Sequence, residues 1–143
     1  MKKKILSLIF VLLFMLSLSV PSLAAIQASY YFSATDCRAY AKDDCEILIE
    51  FDIDATHTML EVGASEVYIY EEQSDGSFDV VYTFTSDEYY SQMMDTNSAF
   101  GEGEVSYYGI PGLQYYALCA LYARDADGAE GRYYTTIMVT CRN

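Results

Sequence analysis

The sequence predicts an all-β domain, an antiparallel sandwich of about seven strands. Three observations predict it. Apolar and polar residues alternate with period two in several short segments. Turn-forming residues divide those segments at regular spacing. From Ile26 onward, no segment keeps the apolar period of a long helix. The chain has 143 residues, enough for one domain.

The N-terminus is read separately. Met1–Ala25 begins Lys2-Lys3-Lys4, continues as an apolar run from Ile5 to Val20, and ends Pro21-Ser22-Leu23-Ala24-Ala25. A basic start, a short apolar centre and a small-residue end describe a helical signal peptide cleaved after Ala24. The run is short for a bilayer span of about 20 residues, so no stable membrane insertion is expected after cleavage. Residues 25–143 then form the β domain, released outside the cell.

The strands follow in order. Ser29–Phe32 and Asp36–Ala41 read as a broken first strand. Cys45–Asp54 sends Ile47, Ile49, Phe51 and Ile53 to one face and mostly carboxylates to the other, with Leu48 the exception. Ala55–Ala64 reads as a connector holding His57. Ser65–Glu72 and Phe78–Thr85 flank an Asp75-Gly76 hairpin turn. Asp87–Ala99 breaks the alternation and suggests a helical turn with Met93 and Met94 tucked inward. Gly101–Gly103 reads as a loop, Glu104–Tyr108 as a strand and Ile110-Pro111-Gly112 as a turn. Gln114–Ala123 is the most apolar strand, with Tyr115, Ala117, Cys119, Leu121 and Ala123 on one face. Arg124–Gly131 reads as a loop, and Arg132–Thr140 closes the domain with Ile137 and Val139 facing in.

Composition excludes several function classes. Removing residues 1–24 removes three lysines and no acid, so 5 bases face 21 acids, a net charge of −16. Nucleic acid and anionic lipid surfaces require the opposite sign. The 52% apolar content, in patterned form, is that of a folded chain. Fifteen tyrosines with no tryptophan are the unusual feature.

In an exported chain, Cys37, Cys45, Cys119 and Cys141 suggest disulfides. Cys37 and Cys45 bracket the polar turn Ala41–Asp44, and a hairpin there would set them face to face. The expected bridge is Cys37–Cys45, leaving Cys119 and Cys141 paired or free. The spacing lacks the C-x2-C pairs of a zinc site, and Cys119 falls in an apolar strand, where cysteines are buried and inert.

The segment Ile110-Pro111-Gly112-Leu113-Gln114-Tyr115-Tyr116-Ala117-Leu118-Cys119-Ala120 resembles the sixth strand of fibronectin type III domains, where a proline–glycine turn precedes a tyrosine and alternating apolar residues. Tyr115 or Tyr116 would be the tyrosine-corner residue. The Asp127-Gly128 turn and the strand Tyr133–Thr140 suit the last hairpin of that immunoglobulin-like fold. More widely, Phe51–Thr56 (F-x-I-x-A-T), Met59–Ser65 (M-x-x-x-G-A-S) and the glycine–tyrosine pattern of Tyr108–Ala117 resemble small exported proteins of clostridia-like Gram-positive bacteria. That resemblance implies fold and export and brings no activity with it.

If the strands lie as the resemblance implies, Tyr68, Tyr70, Tyr116, Tyr122 and Tyr134 share an outward face with Leu118 and Met138. Such a face is normally polar. Tyrosines there could grip an extracellular protein or stack on a glycan, or could simply cover their cross-strand neighbours. A second candidate is calcium on Asp125, Asp127 and Glu130, which share one loop with Gly128; the same residues also suit an ordinary turn. No other cofactor is indicated. Catalysis is not expected. His57 is the only histidine, no Gly-x-Ser-x-Gly elbow presents a serine, and Glu46, Glu50, Asp52 and Asp54 form a solvated stripe. The sequence therefore predicts a secreted binding domain that contacts a protein. A carbohydrate-binding module is the alternative, and a small secreted hydrolase ranks below both.

Overall fold

The computed structural model describes Ser29–Asn143; the expected signal peptide at residues 1–24 lies outside the described residues. Seven strands form one antiparallel sheet: β1 (Phe32–Ala41), β2 (Glu46–Glu72), β3 (Phe78–Thr85), β4 (Met94–Tyr108), β5 (Gln114–Arg124), β6 (Ala129–Thr135) and β7 (Val139–Thr140). A single helical turn, α1 (Tyr90–Met93), precedes β4.

The 27-residue β2 organises the sheet. Its first part, residues 46–55, lies between β1 and the second half of β4. Its later part, from Met59, lies between β5 on one side and the start of β4, then β3, on the other. We call these the first and second limbs. Between them, Asp54 pairs with Phe100 and Met59 with Ser98, so residues 55–58 bulge out against Ala99 alone. β6 and β7 extend the second limb beyond β5. The segment 55–64, expected as a connector, is thus mostly strand. Its apolar residues are too sparse to show alternation, yet Met59, Val62 and Ala64 are fully buried.

Both limbs contribute to one core. Ile47, Ile49, Phe51 and Ile53 enter it from the first limb, and Val67, Ile69, Tyr115, Ala117, Cys119 and Leu121 from the second. Leu48, on the polar side of β2, is also buried, with Tyr40 opposite it on β1.

The quoted motifs sit at points of close contact. A Cβ on Gly63 would lie 2.0 Å from the Met93 carbonyl oxygen, so the α1–β4 junction rests directly on this glycine. Ser65 is the extra residue of a bulge between Ala64 and Glu66, and its hydroxyl donates to the Ala120 carbonyl. Gly103 leaves room for the Phe51 ring, 2.3 Å from where its Cβ would be. This is why Gly101–Gly103, expected as a loop, runs as strand instead: the glycines are placed for packing. In Ile110-Pro111-Gly112-Leu113, Leu113 N–H closes on Ile110 O and Gly112 takes φ +85°, the type II turn that Pro-Gly favours.

The cysteines pair as Cys37–Cys119 and Cys45–Cys141, which corrects the expected Cys37–Cys45 bridge. Register explains the difference. Cys37 lies opposite Phe51, and Ala41 opposite Ile47, so Cys45 falls inside the turn and not across from Cys37. Asp44 and Cys45 adopt positive φ there, and Cys45 N–H bonds to Arg142 O, bringing it to the C-terminal segment. Cys37–Cys119 joins β1 to β5, strands that do not pair with each other.

The final strand also departs from expectation. β6 ends at Thr135, and Thr136 turns inward, exchanging bonds with Ala117 through both its backbone and its hydroxyl. Two exposed residues follow, Ile137 and Met138, before Val139 returns to the core. Ile137, expected to face in, is 74% exposed because the chain changes face at this break.

Candidate functional site

The tyrosine face lies on the second limb. Register sets Tyr70 of β2 opposite Tyr116 of β5, and Tyr68 opposite Leu118. The Tyr70 and Tyr116 rings stack with centroids 4.6 Å apart and planes within 7°. Phe78, at the start of β3, packs on Tyr116 at 5.2 Å. All three rings are half-buried. The Tyr68 hydroxyl donates to Glu66, which pushes its pKa up to about 12.

Two expected members are placed differently. Tyr134 lies opposite Cys119 and packs against the core; Tyr133, opposite Ala120, is the outward residue, 68% exposed. The shift of face at Thr136–Met138 reverses the inward–outward order read back from Val139. Tyr122 is outward but lies between Gly63 and Gly131. It is six residues along β5 from Tyr116, about 20 Å at about 3.3 Å per residue. The aromatic cluster is therefore Tyr68, Tyr70, Phe78 and Tyr116, with Tyr133 on the next strand but one. Phe78 was missed because the β2–β3 bulge at Val81, which no sequence signal marks, decides which residues of β3 point outward.

Tyr115, by contrast, is fully buried. Its hydroxyl accepts from Ile110 N–H at 2.8 Å and donates to Glu71 at 2.5 Å. Of the two adjacent tyrosines, it is the one that reaches back to the backbone before its strand. Gly109 gives its ring passage, since a Cβ there would come within 2.7 Å of it. Burial, then the Glu71 carboxylate, push its pKa up to about 12.

The acidic loop is held by hydrogen bonds. Asp125 Oδ1 accepts from the N–H groups of Asp127 and Gly128 and from the Tyr31 hydroxyl; Oδ2 meets His57 Nε2 at 2.8 Å. These donors, His57 first, hold the Asp125 carboxyl below its usual range. Glu130 is engaged by Ser29 and Arg132. Asp125, Asp127 and Glu130 do not converge on a calcium site, and among the described residues no three His, Cys, Asp or Glu side chains are placed to hold an ion. His57, Tyr31 and two backbone N–H groups occupy the Asp125 carboxylate that the sequence offered to a cation.

Thr56 Oγ1 lies 2.9 Å from His57 Nδ1, so Thr56, His57 and Asp125 form a hydroxyl–imidazole–carboxylate row. Thr56 Oγ1 also donates to the Tyr30 carbonyl. Its proton is directed to the backbone and away from the ring, so the row ties residues 30–31 to the 125–128 loop. On the first limb, an open depression of about 410 Å³ is lined by Glu50, Asp52, Ser91, Gln92, Glu102 and Glu104. Its walls carry carboxylates, one hydroxyl and one amide, with no histidine or cysteine beside them. No protein-family profile matches the chain, and no curated protein matches its sequence.

Proposed function

We propose that the protein is an exported, non-catalytic domain that holds an extracellular protein against the tyrosine face of its second limb, and that its folded sheet is a fibronectin type III-like sandwich. Several features support the fold reading. The two limbs share one core, β1, β2 and β4 lie side by side in the first, and β3, β2, β5 and β6 in the second. Tyr115 has the hydrogen bonding of a tyrosine corner. Export is supported by the N-terminal sequence and by two disulfides. Among the described residues, no helix is long and apolar enough to cross a membrane.

The observation that carries the binding reading is the Tyr70–Tyr116 stack with Phe78 beside it, on the solvent side of a sheet whose core is already complete. Tyrosine offers rigid contact area and a hydroxyl with little entropy to lose, the residue chemistry of protein interfaces. A sugar platform needs ring faces open to solvent, and Tyr70 and Tyr116 cover each other's. This favours a protein ligand over a glycan.

The test compares residues 25–143 with a Tyr70→Ser/Tyr116→Ser variant of matched circular dichroism, against extracellular protein extracts and immobilised glycans. Saturable binding of one protein by the native chain, lost in the variant, is the expected result. Equal binding by both would return the rings to a structural role, and glycan binding lost in the variant would replace the protein reading by the carbohydrate one.

A further inference from the structure

A second surface lies at the free edge of the sheet, beside the tyrosine face, with which it shares Phe78. β3 is hydrogen-bonded to β2 on one side and to no strand on the other. Seven of its eight residues are strand formers, and the eighth, Asp79, is its one charge. The bulge leaves Val81 without a partner, and Val80, Val81 and Tyr82 are 46%, 37% and 37% exposed. Apart from the two-residue β7, the other edges carry the charges that discourage strand addition: Asp36 and Arg38 on β1, Glu102 and Glu104 on β4, Glu130 and Arg132 on β6.

Charge supplies a second, independent observation. From Asp43 to Ala123 the chain contains no lysine or arginine. Among the described residues, the arginines that make ion pairs sit outside that span: Arg38 with Asp36 and Asp52, Arg124 with Glu61, Arg132 with Glu130. Carboxylates stand at both ends of β3. Glu72 lies opposite Phe78 and Asp75 is in the adjoining turn; Asp87 and Glu88 follow Thr85. Among the described residues, β3 and the stretch of β2 it pairs with contain no lysine or arginine to offset them.

We propose that the β3 edge accepts an extended cationic segment of a partner protein. The segment would add a strand to β3, with β-branched or apolar residues at its centre against Val80 and Val81. Lysines or arginines at its two ends would meet the carboxylates. Strand addition supplies backbone hydrogen bonds, and the end charges fix register and choice of partner.

The probe is a short peptide of alternating valine and threonine, long enough to span β3, with paired lysines at both ends; a twin carries glutamates instead. Each is titrated into isotope-labelled residues 25–143 while amide shifts and hydrogen exchange are followed. The lysine peptide is expected to protect amides of residues 78–85 and to bind more weakly as salt rises. Val80→Lys, an exposed change, is expected to weaken it about tenfold, while Asp127→Asn, which removes an exposed carboxylate from the loop before β6, leaves it in place. The proposal is overturned if the lysine peptide does not bind, if shifts spread over the carboxylates of β1 and β4 without protecting β3, or if the glutamate twin or Val80→Lys binds equally well.

Discussion

One strand runs through both limbs and presents two different outer surfaces. In the first limb, the outward side of β2 carries Glu46, Glu50, Asp52 and Asp54, with Asp36 and Arg38 on β1 and Glu102 and Glu104 on β4. In the second, the same strand carries Tyr68 and Tyr70 between Glu66 and Glu72 and faces Tyr116 and Leu118. The inner sides are alike, apolar and buried. The first limb therefore forms its ladder with carboxylates outside, although like charges stand opposite each other in Asp36–Asp52–Glu102. A sheet on this core does not need outward tyrosines to exist.

The two limbs share one core and should unfold together, and the largest expected effect tests that. Cys37–Cys119 ties β1 of the first limb to β5 of the second across 82 residues of sequence. Replacing both cysteines by alanine is expected to cost about 2–5 kcal/mol and to keep a single unfolding transition. Calorimetry checks this. Two separated transitions would mean that the limbs are independent and that their surfaces cannot be compared on equal terms.

Next in size is Tyr115→Phe, which tests the inner side of the second limb alone. It leaves Ile110 N–H without its acceptor and Glu71 without its donor, a loss of about 1–3 kcal/mol. The pH dependence has a definite sign. With the Tyr115 pKa raised to about 12 in the fold against about 10 unfolded, the neutral form is favoured by folding. Its contribution is full below pH of about 10 and is lost as pH rises through about 12. Denaturant titration across that window should show a shallower alkaline decline in Tyr115→Phe than in the native chain. The decline will persist in part, because Tyr68 and Tyr89 are raised to about 12 as well. An unchanged slope would remove Tyr115 from the alkaline response.

What the sequence made legible follows the same division between inner and outer sides. Alternation in Ile47–Ile53 and Tyr115–Ala123 marked the core strands, because burial imposes a period of two on any such segment. Asp75-Gly76 and Pro111-Gly112 marked their turns, because each glycine takes a positive φ. The union of residues 46–72 into one strand was not legible: the bulge at 55–58 interrupts the pattern where the strand changes neighbours. Nor was the disulfide pairing, since Cys37 and Cys119 meet only after distant strands pack. The tyrosine cluster was half legible. Tyr68, Tyr70 and Tyr116 lie on uninterrupted alternation. Tyr134 was misplaced and Tyr133 missed because a break at Thr136, set by bonds to Ala117, moves the chain from one face to the other.

The smallest expected effects bear most directly on the two outer surfaces. Tyr116→Thr keeps a strand-forming residue but removes the stack on Tyr70, which is worth about 0.5–1.5 kcal/mol beyond area. Glu102→Thr makes the corresponding change in the first limb, removing a carboxylate that lies opposite Asp52. It relieves like-charge repulsion and is expected to stabilise by about 0.5 kcal/mol at low salt. The two changes should thus have opposite signs, and salt should separate them further, because screening erases the Glu102 gain and leaves the Tyr116 loss untouched. Melting curves of both variants at low and high ionic strength measure this. If Tyr116→Thr costs nothing, the stack adds nothing to stability and a selective reason for it, such as binding, gains weight. If it costs several kcal/mol, the rings belong to the second limb's architecture and the contrast with the carboxylate face is one of packing.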